Sequence, residues 1–214
     1  TRKESSAASD VYKRQLVSNF GAKDQGLESP DTTQVLTYSS RRESLINNLI
    51  SAAIQYKLDG INVDFESLDP SIGDSYIQFI RELSLKCANN GIVLSVDNYP
   101  PTAYTAFYNR SEQAVFADYV ILMGYDEHYA GSDAGSVASL PFVEDGISRA
   151  VSMVPSEQVI NAVPFYTRIW TENAGETKSR AVGMQAAMDA MQENGATAEW
   201  DETTGQYYCT CLLY

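Results

Sequence analysis

Residues 59–66 read Asp59-Gly60-Ile61-Asn62-Val63-Asp64-Phe65-Glu66. Side chains alternate faces along a β-strand, so Ile61, Val63 and Phe65 point one way and Asn62, Asp64 and Glu66 the other. The competing reading is the wet face of an edge strand. Amphipathic helices are predicted before and after this strand, however, as in a parallel unit buried on both faces. Burying unpaired carboxylates costs several kcal/mol each, which favours a working site over filler. Asp64 and Glu66 lie roughly 6.6 Å apart along a strand. Two carboxylates that close do not both ionise cheaply, so one proton is expected to be held between them. Glu66, at the C-terminal end of the strand, is the expected holder. A proton-holding carboxylic acid beside a second carboxylate suits glycoside hydrolysis, where the acid protonates the leaving oxygen. A divalent-metal site is the rival for Asn62, Asp64 and Glu66, but the triplet lacks the spacing and central glycine of a calcium loop. No metal site and no cofactor are expected.

The elements that must hold this strand follow from periodicity. Short apolar runs at 16–20, 61–65, 92–96, 118–125 and 159–164 read as strands. Between them, Leu45, Ile46, Leu49, Ile50, Ala53 and Ile54 recur at helical spacing behind a Ser40-x-x-Glu43 capping box. A second stripe, Tyr76, Phe79, Ile80, Leu83 and Cys87, opens at Asp69-Pro70 and ends at Asn89-Asn90-Gly91. Cys87 reads as a small core side chain. Helices are predicted over 143–153 and 182–192, and a hairpin over 197–209. Strand–helix alternation with apolar strands predicts an α/β chain with a parallel sheet and helices outside.

Composition narrows the function. The 214 residues include 28 acidic and 15 basic side chains, a net charge of −13. That balance argues against binding to a nucleic-acid phosphate backbone. No apolar run approaches the length of a membrane span. Three cysteines and one histidine suit neither a disulfide framework nor a histidine metal site. A (β/α)₈ barrel takes about 250 residues, more than this chain has.

The ends differ from the body. Residues 1–15 (TRKESSAASDVYKRQ) show no apolar periodicity and no signal-peptide core. They resemble translated sequencing-adaptor sequence, as does CLLY at 211–214, and a natural disordered tail is the alternative. Both ends are set aside, leaving 16–210 as a partial catalytic barrel. With four basic and two acidic residues in 1–15, the remainder carries about −13 − 2 = −15.

The octapeptide at 59–66 closely resembles the Asp-Gly-x-[Asp/Asn]-x-Asp-x-Glu signature of glycoside hydrolase family 18, the chitinase-like (β/α)₈ enzymes. Met123-Gly124-Tyr125-Asp126 resembles the family's Met-x-Tyr-Asp. Pro164-Phe165-Tyr166-Thr167-Arg168-Ile169-Trp170 is similar to its Pro-x-Tyr-Gly-Arg-x-Trp, with Thr167 in place of glycine. Residues 125–141, taken with the last motif, look most like the bacterial spore-cortex-lytic and germination-associated branch.

The resemblance implies a TIM barrel truncated of its first two strands and its eighth. It implies Glu66 as general acid and then base, Asp64 as the residue that orients the substrate's N-acetyl group, and Tyr125 as a hydrogen-bond partner of that group. The nucleophile would be the substrate's own carbonyl oxygen. Asn62 stands where many members have Asp, which shortens the proton relay. Met123, Asp126, Tyr166, Arg168 and Trp170 are further substrate contacts on this reading. Arg168 pairing with a carboxylate, and Trp170 capping the barrel, are the structural alternatives, and His128 is expected at the surface. The implied partner is an N-acetylglucosamine-containing polysaccharide, with a monomeric protein in the bacterial envelope, the spore or the extracellular space. A catalytically inactive carbohydrate-binding member of the same fold is the alternative function.

Overall fold

The computed structural model describes residues 12–21 and 28–211. Most of the predicted loop at 23–31, most of the N-terminal stretch and all but Cys211 of CLLY fall outside them. Strands β1 (Arg14–Ser18), β2 (Gly60–Asp64), β3 (Val93–Asn98), β4 (Tyr119–Met123) and β5 (Val159–Ala162) hydrogen-bond in that order. Strands β1 and β3 both run parallel to β2. Helices α1 (Thr32–Thr37), α2 (Ser39–Tyr56), α3 (Gly73–Asn89), α4 (Arg110–Phe116), α5 (Leu140–Val151) and α6 (Met184–Glu193) intervene or follow. The α/β alternation is therefore as expected. Among the described residues the five-stranded sheet is open and no closed barrel is formed.

The chain forms two compact units whose boundary runs through β4 and β5. One extends to Ile121 and takes in Val151–Ile160; the other comprises Leu122–Ala150 and the residues from Asn161 onward. The core of the first unit is the apolar face of β2 and β3 against α2 and α3. Ile61, Val63, Leu94 and Val96 are buried there with Ile46, Ile50 and the whole predicted stripe from Tyr76 to Cys87. Phe65 stacks on Phe79 at 5.4 Å, and Tyr76 meets Tyr108 edge-on at 5.5 Å. Burial pushes the Cys87 thiol up to about 12, in keeping with a core role. Gly60 is required by close approach, since a Cβ there would lie 2.9 Å from the Val93 carbonyl oxygen.

Several elements differ from the sequence reading. Strand β1 begins two residues early, because Arg14 and Gln15 pair with Gly60 and Ile61 and the Lys13 amide donates to the Asp59 carboxylate at 2.7 Å. The capping box does not form. Helix α2 starts at Ser39 with Tyr38 as N-cap and no side-chain cap, since the unpredicted α1, capped by Asp31, ends directly before it. Arg42 takes over the stranded helix end, donating to the carbonyls of Leu36 and Thr37. In the second unit, β6 (Tyr166–Asn173) and β7 (Glu176–Gly183) form an antiparallel hairpin that was not foreseen. Its two turn residues, Ala174 and Gly175, both have positive φ, as a type I′ turn requires. The predicted hairpin near the C-terminus is present as β8 (Glu199–Asp201) and β9 (Gln206–Tyr208).

Candidate active site

In the first unit the polar triplet lies on one side of β2 and its exit. Asn62 is buried, and its amide is fixed at both ends: Ser95 Oγ donates to Asn62 Oδ1, and Asn62 Nδ2 donates to Asp97 Oδ2 at 2.6 Å. Register explains the meeting. Asn62 is the parallel partner of Ser95, and two residues further along the two strands come Asp64 and Asp97, close enough for the charge of Asp64 to act on Asp97. Residues Ser95, Asp97 and Tyr99 thus continue the polar face of Asn62, Asp64 and Glu66 onto the neighbouring strand.

Two carboxylates here are displaced towards their protonated forms. Burial, and then the charge of Glu66, raises Asp64 to about 6. Burial also raises Asp97 to about 6, against the Asn62 hydrogen bond and with a push from Asp64 and Glu66. Asp64 Oδ1 is shielded from solvent and has no hydrogen-bond partner among the described residues. An acceptor in that state is suited to a substrate donor.

Glu66 lies beyond the last residue of β2. It lines a cleft of about 280 Å³ together with Asn19, Phe20, Thr32, Ser67 and Asp69. Burial, and then the nearby Glu66, hold the Tyr99 phenol well above its ordinary range. Asp97 and Tyr99 were not foreseen as site residues. The signal was present in the alternation of Leu94, Ser95, Val96 and Asp97, which repeats the pattern of β2 one strand over. No group of three or more His, Cys, Asp or Glu side chains suited to a metal ion occurs among the described residues.

The second unit holds the other predicted positions. Met123 is buried as the last residue of β4, so the Met123–Asp126 motif opens at a strand end. Gly124 has a Cβ-sized space of only 2.5 Å to the Asn161 amide. Asp126 has φ +58 and accepts a 2.6 Å hydrogen bond from the Tyr166 hydroxyl. Burial, then that bond, raises the Tyr166 phenol. The rings of Tyr125 and Tyr166 meet edge-on at 6.3 Å. Tyr125, Asp126 and Tyr166 are therefore brought together. Arg168 bonds Ser179 Oγ at 2.9 Å across the β6–β7 hairpin, rather than the carboxylate weighed above, and its Nε is buried without a partner. Trp170 Nε1 donates to the Gly135 carbonyl at 3.0 Å, which ties it to the loop after β4. The His128 ring contacts the Asp133 carbonyl oxygen.

A family model described as "Glycosyl hydrolases family 18" matches residues 20–212. The cortical fragment-lytic enzyme of Bacillus subtilis (strain 168) is 29% identical over 171 residues, covering 76% of this chain and 39% of that protein. The chain spans about two fifths of the length of the curated relatives it matches. Among solved structures, the chitinase of Chromobacterium violaceum ATCC 12472 superposes with TM-score 0.84 at 22% identity, covering 96% of this chain and 65% of that one. The spore cortex-lytic enzyme SleL of Bacillus megaterium QM B1551 does so with TM-score 0.80 at 20% identity, covering 94% and 47%. On the strength of the match across residues 20–212, the chain belongs to glycosyl hydrolase family 18.

Proposed function

We propose that this chain carries the acid–base machinery of a glycosidase that cleaves N-acetylglucosamine-containing glycans. The observation that carries the reading is the placement of Glu66, on an open cleft at the end of β2, with the half-buried Asp64 preceding it on the same face, its Oδ1 shielded and without a partner. Glu66 donates a proton to the glycosidic oxygen and later takes one from the incoming water. Asp64 receives the N–H of the substrate's acetamido group and stabilises the charge that develops as the acetamido carbonyl oxygen attacks the anomeric carbon. Cleavage proceeds with retention by this substrate-assisted route. Tyr125 hydrogen-bonds the acetamido group. Asn62, Met123, Asp126, Tyr166, Arg168 and Trp170 shape the glycan site, Asn62 by fixing Asp97 and Tyr166 by fixing Asp126.

The names of the Bacillus relatives favour a spore-cortex glycan as substrate, in a bacterial spore, envelope or extracellular setting. On the same reading β1 to β5 are the third to seventh strands of a (β/α)₈ barrel, completed by strands outside this chain, with residues 16–210 as its part of the catalytic domain. The enzyme is expected to work as a monomer without a cofactor.

The test is Glu66→Gln in the full-length protein, with an N-acetylglucosamine oligomer or peptidoglycan as substrate. Hydrolysis is expected to fall at least roughly 1000-fold while binding persists, as for loss of a general acid and its later base role. Turnover at the parental rate would remove Glu66 from the mechanism. Binding without hydrolysis by the parent would select the carbohydrate-binding alternative instead.

A further inference from the structure

Strand β2 stops at Asp64, so the ladder that fixes its backbone has ended before Glu66 is reached. The chain then turns sharply, with φ +51 at Ser67. Backbone groups left outside a ladder need partners, and two side chains supply them here. On one side the buried Tyr108 hydroxyl donates to the Phe65 carbonyl at 3.1 Å and accepts from the Leu68 amide at 3.4 Å. On the other side is Asn19, immediately past the end of β1. Its Nδ2 donates to the Glu66 carbonyl at 2.8 Å, and its Oδ1 accepts from the Glu66 amide at 2.9 Å. Asn19 is itself buried, and a longer contact to Thr32 Oγ1 at 3.3 Å holds its far edge.

We infer that Asn19 is a positioning residue for Glu66: its carboxamide stands in for a strand peptide and carries the β1–β2 pairing two residues beyond the point where backbone pairing ends. The last backbone partners are Ser18 and Asp64. A carboxamide is the side-chain group that presents one donor and one acceptor in the fork a peptide uses. The inference rests on the reading of Glu66 as the acid. Its consequence is that the direction of the Glu66 side chain is set from β1, by a residue that need not touch the glycan. Displacement of a reacting group by about 1 Å can cost roughly 100-fold in rate.

Two variants test this in the full-length protein, assayed on an N-acetylglucosamine oligomer alongside Glu66→Gln. Asn19→Ala removes both bonds; kcat is expected to fall roughly 10- to 100-fold with KM changed less than about twofold. Asn19→Asp is the sharper probe. As a neutral carboxylic acid it still offers one donor and one acceptor, whereas as a carboxylate it loses the donor and faces the Glu66 carbonyl. The groups lining the same cleft are Asp31, Glu66 and Asp69, all acidic. The ratio of Asn19→Asp to parental kcat is therefore expected to rise towards unity as pH falls. A merely structural role for Asn19 would not produce that acid rescue. Parental kcat in Asn19→Ala, or an effect confined to KM, overturns the inference. Should Asn19→Ala fail to fold, a pH-independent ratio for Asn19→Asp overturns it. Inactivity of Glu66→Gln together with full activity of Asn19→Ala would reject the positioning role alone. Full activity of Glu66→Gln would reject the underlying reading.

Discussion

Asp97 ties the chemistry of the site to its stability. Its carboxyl is raised from 3.8 to about 6 by burial, so the folded protein holds this proton more tightly than the unfolded chain. The associated stability is present in full below about pH 4 and lost as pH rises through about 6. Asp64 behaves in the same sense over the same window. Asp97→Asn is therefore expected to gain stability over the parent as pH is raised from 4 to 7. The gain should reach about 1–2 kcal/mol, once solvent screening and the altered Asn62 contact are discounted. Urea midpoints measured at both pH values check it; a difference that does not grow with pH would contradict the assignment. The octapeptide disclosed Asn62, Asp64 and Glu66 because alternation within one strand is visible in order along the chain. Asp97 became meaningful only when register placed it against Asp64, since which strands are neighbours is a tertiary fact.

Helices α1, α2 and α3 meet at Arg42. Its guanidinium donates to two carbonyls at the end of α1 and pairs with Glu82 of α3 at 3.1 Å. Arg42 and then Gln78 hold the Glu82 carboxyl below its usual range, with burial opposing. Arg42→Met keeps much of the packing but leaves those carbonyls without the guanidinium and Glu82 with Gln78 alone. A loss of about 2–3 kcal/mol is expected, read as a lowered urea midpoint. Gly124→Ala should be similarly costly, because its Cβ would meet the Asn161 amide at 2.5 Å and the Ala162 carbonyl at 3.0 Å. A loss of about 1–3 kcal/mol is expected; an unchanged thermal midpoint would show that the β5 exit yields freely. The stripe of α3, and that of α2 as far as Ala53, were legible because periodicity over several turns is a strong signal, whereas Ile54 at the end of the α2 stripe is exposed. Helix α1 was not, being six residues long and held by an arginine from the next helix. The β6–β7 hairpin was hidden by its turn, where Ala174 occupies a left-handed position usually marked by Asn, Asp or Gly.

The sequence is strongly acidic, and among the described residues the five-stranded sheet is open. Among the described residues β1 lies at one edge of that sheet, with its own Leu16 half exposed. Unpaired strand edges invite pairing with other chains. Expressed as these 214 residues, the protein is expected to self-associate and to hydrolyse N-acetylglucosamine oligomers far more slowly than the full-length protein. Sedimentation and rate measurements on both decide this; a cooperatively melting monomer with full activity would refute it. The acidity argues against a nucleic-acid phosphate backbone as partner but does not choose between glycans, which are recognised by hydrogen bonds and apolar faces. The bonds between Asn19 and Glu66 also carry a kinetic consequence. They join positions 47 residues apart through a parallel strand pair, a kind of contact that forms slowly because chain closure must precede it. The proposed acid, Glu66, is encoded within eight consecutive residues, yet its backbone is held by Asn19 only after a distant strand has docked. During refolding, recovery of catalysis should therefore lag the appearance of helix, and the lag should be set by the arrival of β1.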